Sequence, residues 1–173
     1  MVSGVDPSDP NETYEYFRNG GIGWKLALVG DHLVSTKGGR LVGFSVHDGV
    51  PKVKWGVEIP FSNPKSTMRN GVVGLQPFSD QHVLCLVSEF DTSKFMETTL
   101  RVGILDVEHP EEFRLLQGFE KQVFVSGWNL VALHRDSADP RFVYVGHSDL
   151  DCLIELELTE NLREIHYLSG APG

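Results

Sequence analysis

The stretch at residues 39–49, GRLVGFSVHDG, does most to limit what this chain can become. Leu41, Gly43, Ser45 and His47 alternate with Val42, Phe44, Val46 and Asp48. Period-two alternation rich in β-branched and aromatic residues marks a half-buried strand. Just upstream, residues 32–36 read as a second short strand, with Lys37-Gly38-Gly39 between the two. Paired glycines take the positive φ that a tight hairpin demands, so the spacing predicts that these strands pair directly.

The same order returns twice, at residues 82–90 followed by 99–108, and at residues 141–146 followed by 151–159. The later strand of each pair shares a short core: Phe44-Ser45-Val46, Leu105-Asp106-Val107 and Leu156-Glu157-Leu158. A small acidic turn precedes each earlier strand, with Asp31, Asp80 and Asp139 in corresponding places. Each unit also has a leading apolar strand (24–29, 71–75, 122–133) and a trailing one (52–59, 113–119, 162–168). Four strands in roughly 40–50 residues is the size of a propeller blade. The predicted fold is therefore all-β: an extended segment over 1–19, then one domain over 20–173. That domain holds about three four-stranded antiparallel propeller-like blades, at about 20–61, 69–119 and 120–170. Propellers close with about four to eight blades, and three would leave open sheet edges. The chain is expected to belong to a larger or oligomeric ring, completed by another protein chain or by a second copy of itself. A closed β-barrel or sandwich, whose hairpins resemble each other only because all hairpins do, is the alternative.

The 173 residues suffice for a sizeable core, and 40% hydrophobic with 23% charged residues is ordinary for a globular chain. The formal net charge of −9 argues against duplex nucleic acid or an anionic membrane as partner, since phosphates need lysine and arginine. No apolar run approaches a membrane span, and the polar, acidic N-terminus does not read as a secretory signal. Cys85 and Cys152 lie in predicted strand interiors and read as buried thiols rather than as a disulfide. An intracellular, cytoplasmic location is expected. Asn11-Glu12-Thr13 matches a glycosylation acceptor, a triplet common by chance.

Pro60 and Pro64 stop strands in the linker 60–70, because proline donates no ladder hydrogen bond. The hairpin loop 91–98 carries Phe95 and Met96 at its tip. Apolar residues there point either to a contact surface or to a fold-back over the sheet edge. Residues 109–112, HPEE, suggest a single helical turn.

Chemistry-bearing motifs are few. None of the seven histidines has a zinc-ligand partner at the usual spacing. Nucleophile elbow, phosphate loop and dinucleotide fingerprint are all missing from the sequence, so no catalytic residue and no metal ligand is assigned. The best candidate cluster is His147, Ser148, Asp149 and Asp151, in a hairpin turn. Two carboxylates two residues apart can converge on a divalent cation such as calcium, though a structural turn needs the same residues. His134, Arg135 and Asp136 form a second polar cluster. Trp24 and Trp128 fall in leading strands, which line the channel of a propeller, and could bind there or simply pack.

On these units the chain resembles the WD-repeat and related degenerate β-propellers over about residues 20–170. The Trp-Asp dipeptide of that family is replaced here by Ser45-Val46-His47, Asp106-Val107-Glu108 and Glu157-Leu158-Thr159. The rhythm GDHLVSTKGGRLVGFSVHDG also resembles degenerate propellers that follow F-box segments, without F-box helices. Lactonase-type six-bladed propellers similar to regucalcin hold a divalent ion with Glu, Asn and Asp, which have no residue-by-residue match here. The resemblance implies a non-enzymatic protein-interaction module or scaffold subunit without a cofactor, using Phe95 and Met96. The alternative is a propeller enzyme, a lactonase-type hydrolase or cyclase-like protein, acting on a small organic molecule. Such an enzyme would turn Trp24, Trp128, His134 and the 147–151 turn to the channel, with a divalent cation as the cofactor.

Overall fold

The computed structural model describes residues 25–37, 40–46, 49–61, 64–94, 97–124, 131–135, 138–139, 141–147 and 154–169. Its elements are strands in three antiparallel sheets, plus one 3-10 turn at Pro110–Glu112, where the HPEE motif predicts a helical turn. Sheet 1 runs β1 (Leu26–Val29), β2 (His32–Lys37), β3 (Arg40–Ser45), β4 (Lys52–Glu58). Sheet 2 runs β5 (Met68–Pro77), β6 (His82–Asp91), β7 (Glu97–Asp106), β8 (Arg114–Leu115), and β9 (Lys121–Phe124) also pairs β7. Sheet 3 runs β10 (Val131–Arg135), β11 (Phe142–His147), β12 (Ile154–Leu158), β13 (Ile165–Ser169). The order within each sheet is the order along the chain, and among the described residues no closed barrel forms.

Lys37 lies opposite Arg40, so β2 and β3 pair directly as predicted, and Gly38 and Gly39 lie outside the described residues. The three aligned triplets hold the same register. Leu33 lies opposite Phe44, Val83 opposite Leu105 and Val143 opposite Leu156. The last residue of each triplet donates its backbone N–H to the residue preceding the partner strand: Val46 to Asp31 (3.3 Å), Val107 to Gln81 (2.9 Å), Leu158 to Arg141 (2.8 Å). In sheets 1 and 3 the register shifts immediately before Phe44 and Leu156, leaving Lys54 and Leu168 as the extra residues of the trailing strands. A bulge of this kind bends the strand and re-aims its side chains.

Sheet 2 is apolar on both faces, which is why β6 is almost continuously hydrophobic. Val83, Cys85, Val87, Leu105 and Val107 pack with Val34, Leu41, Trp55 and Val57 of sheet 1. Leu84, Leu86, Leu100, Val102 and Ile104 pack with Val143, Val145, Ile154, Leu156 and Ile165 of sheet 3. Val42, Phe44 and Val53 form a third buried cluster on the opposite side of sheet 1, with Leu33 against it. The aligned residues therefore point one way along the stack. Leu156 faces sheet 2, Leu105 faces sheet 1, and Phe44 faces away from sheet 2. The leading strand β5 touches the leading strands β1 and β10 on either side.

Two strand expectations are corrected. The predicted leading strand over 122–133 is two strands: β9 joins β7 of sheet 2, and β10 leads sheet 3. The long β7 offers pairing positions at Glu97–Leu100 that the short β8 does not reach, and β9 fills them. The trailing strand over 113–119 shrinks to Arg114–Leu115, because Gln117 turns to bond the other sheet. Gln117 N–H donates to Arg163 O (3.0 Å) and Ile165 N–H to Gln117 O (2.8 Å), while Arg114 Nε donates to Leu162 O (3.0 Å).

Candidate functional site

The residues singled out in the sequence fall almost entirely outside this structure. Phe95, Met96, Trp24, Trp128, Asp149 and Asp151 lie outside the described residues. His134 and His147 are strand positions of β10 and β11, opposite Tyr144 and Val131, and their side chains also lie outside. Cys85 is a buried free cysteine, as expected, and burial pushes its thiol pKa up; Cys152 lies outside the described residues. Among the described residues no group of three or more His, Cys, Asp or Glu could hold a metal ion. Likewise no helix there is long and apolar enough to cross a membrane.

What the structure does bring together is a set of histidine–carboxylate and arginine–carboxylate contacts at one end of all three sheets, where β2, β6 and β11 begin. His32 Nδ1 of sheet 1 lies 3.8 Å from Glu108 of sheet 2. His82 Nε2 lies 3.8 Å from Asp106, and Arg141 pairs with Asp139 (2.8 Å) and Glu157 (3.7 Å). Asp106 and Glu157 are the middle residues of their triplets, so the repeated register places these acids. The Arg141 guanidinium also stands over the Phe142 ring, 5.6 Å from its centroid. Arg141, Glu157 and His166 line a cavity of about 500 Å³. Asp139 is held below the usual carboxylate range by the Arg141 hydrogen bonds, and Arg141 is raised in turn by Asp139.

The most connected of these groups is Asp106. Gln81 Nε2 donates to both of its oxygens (2.9 and 2.8 Å), and the backbone N–H groups of Glu108 (2.9 Å) and His109 (3.2 Å) donate to Oδ1. Partial burial alone would raise its pKa; the hydrogen bonds from Gln81, Glu108 and His109 and the neighbouring His82 hold it low instead. Ser79 Oγ lies 3.0 Å from His82 Nδ1, which completes a hydroxyl–imidazole–carboxylate line. The same hydroxyl accepts the backbone N–H groups of His82 (3.0 Å) and Gln81 (3.2 Å). Its lone pairs are engaged in closing the turn, the use serine has in such motifs, whereas a nucleophile needs one pointed at substrate. Sequence reasoning missed this cluster. Its only signal is that SDQH places a hydroxyl three residues before a strand-opening histidine.

No protein-family model matches this chain, and no curated protein matches it. Among solved structures it is similar to the crystal structure of a functionally unknown protein from Desulfotomaculum acetoxidans DSM 771. That match has 15% identity and a TM-score of 0.29, over 83% of this chain and 68% of the other.

Proposed function

We propose that this chain is a non-enzymatic, intracellular protein-interaction module or scaffold subunit built from three propeller blades, which a second copy of itself completes. The observation that carries the reading is the directional stack. Three meanders share a register, close with the same backbone hydrogen bond and point their aligned residues the same way. Adjacent leading strands β1, β5 and β10 fit blades set around an axis. The outer face of sheet 3 carries Tyr144, Glu155, Glu157 and His166, half-buried or exposed, and β13 adds Leu168 at 47% exposure. At the other end, β1 is an edge strand with Leu26 and Leu28 at 52% and 61% exposure, alternating with buried Ala27 and Val29. Among the described residues the outer edge of β1 pairs with no strand, and an apolar edge of this kind is a template for another strand, which supports a partner contact at β1. Self-association through such an edge is isologous, the commonest symmetry among oligomers. A different protein chain at the same edge is the variant of this reading.

The second reading is a propeller enzyme, a lactonase-type hydrolase or cyclase-like protein, although the Ser79 hydroxyl of the Ser79–His82–Asp106 line is engaged in closing a turn. Metal content and turnover of lactone and aryl-ester panels separate the two. The module reading expects no stoichiometric divalent ion and no turnover above background. A bound ion at one per chain, or hydrolysis abolished by Ser79→Ala in a folded protein, contradicts it.

A further inference from the structure

On the face of sheet 1 turned away from sheet 2, the register sets a row across all four strands: Leu28, Leu33, Phe44 and Val53. Exposure falls along it. Leu28 stands in water, Leu33 is half-buried, and Phe44 and Val53 are fully buried. The neighbouring row repeats the gradient, from exposed Leu26 on β1 to buried Val42 on β3. The described elements in close contact with sheet 1 are β5, β6 and the 3-10 turn, and the core shared with them lies on the other face. On this face Val42, Phe44 and Val53 cluster with one another and with Leu33. The outer face of a sheet stays open to water unless a second layer covers it. A part of the chain beyond the described residues therefore covers β3 and β4.

The repeat shows which place that layer takes. Leu156 of sheet 3 faces sheet 2, and Leu105 of sheet 2 faces sheet 1. Phe44, their counterpart, faces the position of a sheet that would precede sheet 1. We infer that residues 1–24 dock in this position, across β3 and β4, and close the stack there. They lead straight into sheet 1, joining it at Lys25, the residue before β1. The other stretches beyond the described residues that join sheet 1 (38–39, 47–48 and 62–63) hold two residues each, too few to cover two strands. The longer ones, 125–130, 148–153 and 170–173, flank strands of sheet 3, on the far side of sheet 2. Reach is no obstacle. Three steps of about 4.8 Å separate β1 from β4, a distance that about five extended residues cross. Tyr14, Tyr16 and Phe17 supply bulky side chains to meet Phe44. Because Leu26 and Leu28 are left open, the inference does not depend on the partner proposed at β1.

The test is a search for nuclear Overhauser contacts in the full wild-type chain with isotope-labelled valine methyl groups. Contacts are expected from the ring protons of Tyr14, Tyr16 or Phe17 to the methyls of Val42 and Val53. An isotope-filtered measurement on mixed labelled and unlabelled chains should show that they arise within one chain. Ring contacts to other valines in their place, no ring contacts, or contacts only between chains would each overturn the inference. In a second measurement, replacing Tyr14, Tyr16 and Phe17 together with serine should accelerate amide hydrogen exchange in β3 and β4 about tenfold while leaving β11 and β12 unchanged. Unchanged exchange in β3 and β4, or equal acceleration in all four strands, would count against the docked segment. Neither measurement reads the mass of the assembly, so failure here is distinct from failure of the module reading.

Discussion

At the scale of single residues, two kinds of contact hold the account together. Gly43 has the Trp55 ring lying across it, so close that a Cβ at position 43 would sit inside the indole. Trp55 is 7% exposed and belongs to the core between sheets 1 and 2, so it cannot swing away freely. Gly43→Ala should therefore destabilise by about 1–3 kcal/mol, the range for overpacking a filled core, read as a lower denaturation midpoint at unchanged slope. Asp106 is the second kind, a partly buried carboxylate with four donated hydrogen bonds. A hydrogen bond to a charged acceptor contributes about 1.5–3 kcal/mol net, and Asp106→Asn should cost about 1–3 kcal/mol. Its folded pKa is depressed. The stability it adds is then fully present above the unfolded value of about 3.9 and is lost as pH falls through the folded value. Asp91, whose pKa the Ser93 hydroxyl and backbone N–H and the Thr67 hydrogen bond hold down at about 2, follows the same sign. Acid titration of the wild type should show stability falling below about pH 4, with a smaller fall in the Asp106→Asn variant. An identical fall in both would remove Asp106 from the account.

At the scale of elements, the clasp between sheets 2 and 3 is the feature most open to test. Gly118 sits at φ 100°, where an added Cβ would meet the Ile165 carbonyl, and Gln117 immediately before it carries both bonds to residues 163–165. Any side chain there meets both a left-handed backbone and a carbonyl. Gly118→Ala should accelerate amide hydrogen exchange in β13 more than tenfold while leaving β2 and β3 unchanged; uniform acceleration would instead mean global destabilisation. This clasp was invisible in the sequence, because nothing in Gln117-Gly118 distinguishes a turn within a sheet from one that bonds a neighbouring sheet. The β2–β3 hairpin and the triplets at Phe44, Leu105 and Leu156 were legible, since two-residue glycine turns and period-two patterns act locally. The split of 122–133 into β9 and β10 was not legible. Which sheet a strand joins depends on vacant pairing positions on β7, a non-local property. The site fared worst. Ser79 and His82 are three residues apart along the chain, but Asp106 reaches them only by register across β6 and β7.

At the scale of the whole molecule, the β1 edge of sheet 1 carries two of the exposed large apolar side chains. Alternation of exposed Leu26 and Leu28 with buried Ala27 and Val29 leaves two large side chains in water, each worth about 1.5–3 kcal/mol if fully buried. Light scattering of the purified chain over a wide concentration range tests directly whether the three sheets need a partner. The account predicts a species of twice the 19.3 kDa chain mass, reverting to the single-chain mass when Leu26 and Leu28 are both replaced by lysine. A wild-type chain that stays at 19.3 kDa at every concentration would contradict it.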